Sequence, residues 1–140
     1  MPGAVKLAPV PRPALAKAAL ALRICVWYVR VQALLRRYPL PELVDRLGRP
    51  ASARRSRVPP RRLGRAVYRV LAIGGRRARC LVTSLVLYRL LREQGDAAEL
   101  VIGLPTPPHG AEAHAWVEIE GADVGPPPGR GDHLQLARYG

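Results

Sequence analysis

Residues 14–38 alternate alanine, leucine and valine with single lysines and arginines, a pattern that predicts a helix, and Pro39 and Pro41 end it. A short helix follows over 42–47 and stops at Gly48, and residues 49–60 read as a basic linker. Helical spacing returns over 61–73 through Leu63, Val67, Val70 and Leu71, with Gly74 and Gly75 closing it. Over 80–92, Leu81, Leu85 and Tyr88 share one stripe with Leu87, Leu90 and Leu91 beside it, and Gly95 stands where a left-handed C-terminal cap is expected.

The pattern then changes period. Residues 98–104 form a short apolar run, read as a buried strand, and 105–110 a loop. From 111 to 119 the residues alternate: Ala111, Ala113, Ala115, Val117 and Ile119 on one face, Glu112, His114, Trp116 and Glu118 on the other. Glu120-Gly121 offers a hairpin turn into residues 122–125. With that turn, Asp123 pairs near Glu118, and His114 falls opposite Pro127. At the other end, Pro9, Pro11 and Pro13 make residues 1–13 a loose arm.

Composition narrows the class. A chain of 140 residues, 49% of them apolar, is sized for one domain with one core. The division is an arm at 1–13, a helical region and basic linker at 14–60, and a core at 61–140, all within one domain overall. The formal charge of +13 implies an acidic partner, and much of the excess lies in residues 54–79, either a docking face or a solvated one. Specific nucleic-acid recognition is not expected, because no helix-turn-helix, zinc-finger or ribonucleoprotein string occurs and phenylalanine is absent. Arg23 and Arg30 interrupt the N-terminal apolar stretch, so neither a signal peptide, a membrane span nor membrane association is expected. Two cysteines in dissimilar segments exclude a disulfide framework and a four-ligand zinc site, and fit a reducing, cytoplasmic setting.

The candidate chemistry is a pair. Cys80 stands at the expected start of an apolar helix, directly after Arg76, Arg77 and Arg79, and both a helix N-terminus and nearby cations favour thiolate over thiol. His114, on the polar face of a strand, is suited to take the thiol proton and return it to a leaving amine. The Cys80 amide can help hold the oxyanion that develops. Trp116 shares the His114 face and either shields the imidazole, lines a substrate groove or bridges two packed elements. Cys25, inside an Ala/Leu/Val helix, is assigned to packing, and His109 and His133 to solvated loops; no metal or cofactor site is expected.

The strings Cys80-Leu81, Ser84-Leu85, Leu87-Tyr88 and Leu90-Leu91-Arg92, then Gly95, Leu100-Val101-Ile102-Gly103 and Ala113-His114-Ala115-Trp116-Val117-Glu118, carry a resemblance. Together, over about residues 41–124, they resemble the stand-alone leader peptidase of lasso peptide biosynthesis. The resemblance implies an α+β, papain-like or transglutaminase-like fold: a helical N-terminal part and a catalytic cysteine at a helix N-terminus, packed on a small antiparallel sheet. It implies removal of the leader from a ribosomally made precursor peptide, in company with a separate leader-recognition protein. An asparagine-synthetase-like lasso cyclase, which uses the ATP, then closes the macrolactam. The family usually places an aspartate about a dozen residues after the histidine, and Pro126 stands there. Asp132, returning through the 126–131 loop, is favoured over Asp123 as the third member, with a backbone carbonyl or a solvated position as the alternatives. Acyl transfer to an amine and a non-catalytic peptide scaffold are the competing uses of the same fold.

Overall fold

The computed structural model describes residues 12–51, 57–73, 80–105, 113–125 and 133–140. Four helices, α1 (Arg12–Leu35), α2 (Leu40–Leu47), α3 (Pro60–Leu71) and α4 (Cys80–Glu93), precede the strands β1 (Ala98–Pro105), β2 (His114–Ile119), β3 (Ala122–Asp123) and β4 (His133–Tyr139). The arrangement is α+β, as expected. Helix α1 begins inside the segment read as an arm, because Pro13 in a first turn has no helical N–H partner to forgo. Pro41 and Pro60 occupy the same kind of position in α2 and α3. Residues 1–11, Gly74 and Gly75, and the loop over 106–110 lie outside the described residues.

Helix α4 is the hub. Val82, Leu85, Val86, Leu87, Tyr88, Leu90 and Leu91 are all buried, which is more than one stripe, because α4 meets α1, α2 and α3 on one side and the sheet on the other. Each such aliphatic side chain contributes about 1.5–3 kcal/mol by leaving water. Ile24 and Val31 of α1, Leu43, Val44 and Leu47 of α2, and Leu63 and Val67 of α3 complete the helical half of the core. Cys25 is exposed instead of packed, because α1 turns the line of Ile24 and Val31 inward and residue 25 falls on the other side. At Gly64 the α3 backbone runs so close to Val124 that an added Cβ would lie 2.1 Å from the Val124 carbonyl oxygen.

The sheet order is β3-β2-β1-β4, all antiparallel. Glu120 and Gly121 take φ of 51° and 78°, the positive pair that a two-residue hairpin turn of matching twist requires. The turn sets Glu118 opposite Asp123 and Ile119 opposite Ala122, the register expected from the sequence. Gly95, at φ 95°, caps α4 in the left-handed region. Strand β4 corrects the reading of His133 as a loop residue: it opens a strand and pairs with Pro105 on the edge of β1 away from β2. The hydrophobic pattern does not reveal β4 because Leu134 and Leu136 point to solvent and the ladder carries a bulge at Ile102/Gly103.

Polar side chains fix the C-terminal half of α4. Arg89 donates to the carbonyls of Leu47 and Arg49 at 2.9 and 2.6 Å, and Arg92 donates to that of Gly48. Two cations thus meet the negative end of α2. Glu93, nearly buried, takes Arg23 at 2.6 Å and Arg89 at 3.1 Å, binding α1 to α4. The Arg89 guanidinium also lies over the Trp27 ring. The Gln94 side-chain amide accepts from Val58 N–H and donates to Val58 C=O, imitating a strand partner. It also donates to the buried Asp96, which Arg57 neutralises.

Candidate functional site

Helix α4 packs on strand β2. Cys80 is the first residue of α4 and His114 the first of β2. One turn beyond Cys80, the buried Ser84 hydroxyl donates to the Ala115 carbonyl at 2.9 Å, next to His114. This bond joins the first two turns of α4 to the start of β2, so the two residues that open these elements stand at the same end of the helix–sheet interface. That end of α4 carries the partial positive charge of its unpaired amides.

His114 is half-buried and sits opposite Gly103 of β1. A Cβ on Gly103 would meet Trp116 Cη2 at 2.7 Å and the Leu134 carbonyl at 2.8 Å, so the glycine makes room for the indole. Trp116 pairs with the fully buried Val101 and is itself only 8% exposed, although it alternates onto the face read as polar. Its Nε1–H donates to Glu118 at 2.7 Å, and Glu118 accepts from Arg138 at 2.8 Å. Arg138 also donates to Glu99 at 2.7 Å. Its guanidinium is held above its ordinary pKa first by the hydrogen bond to Glu99 and then by that to Glu118. The sheet therefore has a second, small apolar patch of Val101 and Trp116 on the face that His114 shares, away from α4.

Asp123 does not fall opposite His114. It lies opposite Glu118, four residues or about 13 Å along the ladder, and accepts the Gly125 N–H in a local turn at 2.8 Å. Asp132, Pro126 and His109 lie outside the described residues. Among the described residues no group of three or more His, Cys, Asp or Glu could hold a metal ion. A depression lined by Arg92, Glu99, Arg138 and Gly140 occupies the opposite end of β1 from Gly103 and His114, so it is a different surface.

Two site features escape the sequence reading. Ser84 was legible only as part of a string, since nothing in its neighbourhood announces a partner some 31 residues away. Gly103 had a signal: a glycine inside an apolar strand marks close approach by another group.

Residues 18–136 match a family described as the transglutaminase-like superfamily. No curated protein and no solved structure matches the chain.

Proposed function

The chain belongs to the transglutaminase-like superfamily, and from that premise we propose that it is a cysteine peptidase removing the leader from a lasso peptide precursor. Members of this superfamily are commonly cysteine peptidases or transglutaminases, which share attack by a thiolate on an amide carbonyl. The observation that supports the reading here is the Ser84 to Ala115 bond, because it ties the helix opened by Cys80 to the strand opened by His114.

In this mechanism His114 takes the Cys80 thiol proton, and the thiolate attacks the scissile carbonyl. The oxyanion is met by backbone amides at the start of α4, which are already aimed outward and need no reorganisation. Collapse expels the amine of the released core peptide, protonated by His114, and leaves a thioester on Cys80. Water, deprotonated by His114, then hydrolyses the thioester and frees the leader. Asp132, which lies outside the described residues, is proposed as the third member ahead of Asp123, which pairs opposite Glu118, with a backbone carbonyl or a solvated position as the alternatives. Trp116 shares the His114 face, with its indole fixed by Glu118. The chain needs no cofactor. The strings around both residues resemble the stand-alone leader peptidases, which supports a cytoplasmic reaction with a separate recognition protein, a precursor peptide and an ATP-using cyclase as partners.

The test is cleavage of a precursor in the presence of its recognition protein, followed by mass spectrometry. Cys80→Ala and His114→Ala are expected to lower the rate at least about 10³-fold. Unchanged cleavage by either variant overturns the mechanism. A leader bearing an added amine instead of a free carboxylate would assign the fold to acyl transfer.

A further inference from the structure

Helix α1 is apolar on two sides, and the core uses only one of them. Ile24 and Val31 are buried. On the other side Leu15, Leu22, Val26 and Val29 are 54%, 66%, 41% and 66% exposed. Leu15, Leu22 and Val29 are seven residues apart, about two helical turns, so they stack along one line with Val26 beside it. Ala18, Ala19 and Ala33, also exposed, continue the stripe, and residues 12–19 are exposed all round.

The charges around this stripe have one sign. The first acidic side chain of the whole sequence is Glu42. Before it, Arg12, Lys17 and Arg30 of α1, and Arg36 and Arg37 in the turn that follows, are all exposed. Arg23 is matched by a carboxylate, Glu93. A second copy seated on the stripe would bring these cations against their own counterparts, which disfavours self-association. A surface that is apolar within and anionic at its rim matches both features at once.

We propose that α1 lies flat on an anionic lipid bilayer, with Leu15, Leu22, Val26 and Val29 in the acyl boundary and Arg12 and Arg30, which flank that line, among the headgroups. By length and composition the helix could cross a membrane, since an 18-residue stretch of it has a mean hydropathy of 1.5. It is held out of that role because Ile24 and Val31 belong to the protein core, which would open if α1 were drawn into the bilayer. The interruption by Arg23 and Arg30 that argues against a span leaves a surface-lying helix untouched, since Arg23 turns to Glu93 and Arg30 rests over Trp27.

The full chain is sedimented with vesicles of phosphatidylglycerol mixed into phosphatidylcholine, and with phosphatidylcholine alone. Binding to the anionic vesicles is expected to be stronger by about ten-fold or more, and to fall by a similar factor in Leu22→Glu/Val29→Glu and, separately, in Arg12→Gln/Arg30→Gln. These positions are exposed, so circular dichroism and melting should be unchanged. In the wild-type chain, anionic vesicles should slow alkylation of Cys25, which lies beside Leu22 and Val29 on the helix, as read by peptide mapping. Absence of vesicle binding, equal binding to neutral vesicles, or binding by Leu22→Glu/Val29→Glu as tight as wild type overturns the proposal. So does a concentration-dependent dimer that Leu22→Glu dissolves, which would identify a second copy as the occupant.

Discussion

Ser84 and Ala115 are joined by a 2.9 Å hydrogen bond between a buried hydroxyl and a buried strand's carbonyl, and that bond couples the two elements that carry the candidate nucleophile and base. Ser84→Ala removes the donor and leaves the carbonyl in a dry interface. A loss of about 1–3 kcal/mol is expected in urea unfolding. In the proposed reaction the folded variant should slow more through kcat than through KM, because the start of α4 is no longer tied to β2.

Gly64 and Gly95 should fail for different reasons. At Gly64 a methyl group meets the Val124 backbone at 2.1 Å, and neither α3 nor the segment after β3 has a flexible end to move aside. Gly64→Ala should cost about 1–3 kcal/mol by overpacking. At Gly95 nothing lies within 4 Å of the added carbon, and the cost of Gly95→Ala is the left-handed φ of 95° alone, about 1 kcal/mol. Gly95→Asn should recover part of that loss, whereas Gly64→Asn should be worse than Gly64→Ala. Thermal melts of the four variants separate the two causes.

The helices were largely legible in the sequence, since apolar spacing and the prolines at 39, 41 and 60 mark their limits to within a few residues. So was the hairpin, because Glu120-Gly121 permits the positive φ pair and the register follows from the turn. What stayed hidden depends on contacts distant along the chain. Strand β4 is an edge strand whose leucines face water, so its alternation says nothing about a core. Trp116 reads as a polar-face residue until Gly103 is seen to open space for its ring. Cys25 reads as packed because α1 is apolar on both sides, and periodicity cannot say which side the core takes. Cys80 and His114 were readable as candidates, but their common end of the α4–β2 interface rests on Ser84, whose partner no local pattern names.

Burial at Tyr88 makes stability fall in alkali. Its phenol is pushed above the ordinary value of 10.0 first by desolvation, with Arg92 opposing and Asp45 adding to the rise. The unfolded chain therefore releases this proton at lower pH than the folded one. The folded state binds more protons from about pH 10 up to the raised value, so the Tyr88 contribution is complete below pH 10 and is lost as pH rises through that window. Urea midpoints measured from pH 8 to 11 should drop above pH 10, and Tyr88→Phe should flatten that drop.

Gly103→Ala tests the sheet behind His114. The new carbon would come within 2.7 Å of Trp116 Cη2 and 2.8 Å of the Leu134 carbonyl, so the indole must leave its place over β1. The expected signature is a red shift of tryptophan emission as the ring meets water, with a stability loss of about 1–3 kcal/mol. Trp116→Phe in the same background should restore part of that loss, since the smaller ring tolerates the methyl group.

The grip of Arg89, Arg92 and Glu93 on α1 and α2 has a mechanical side. Helix α4 is 14 residues long, about 21 Å, and is held near its far end by these ion pairs and carbonyl bonds and nearer its start by Ser84. A rigid rod clamped at two points has its rotation about its own axis, and its position along that axis, set by both clamps. Loosening the distant one lets torque reach the first residue, so the azimuth of Cys80 is decided partly by arginines near the other end of the helix.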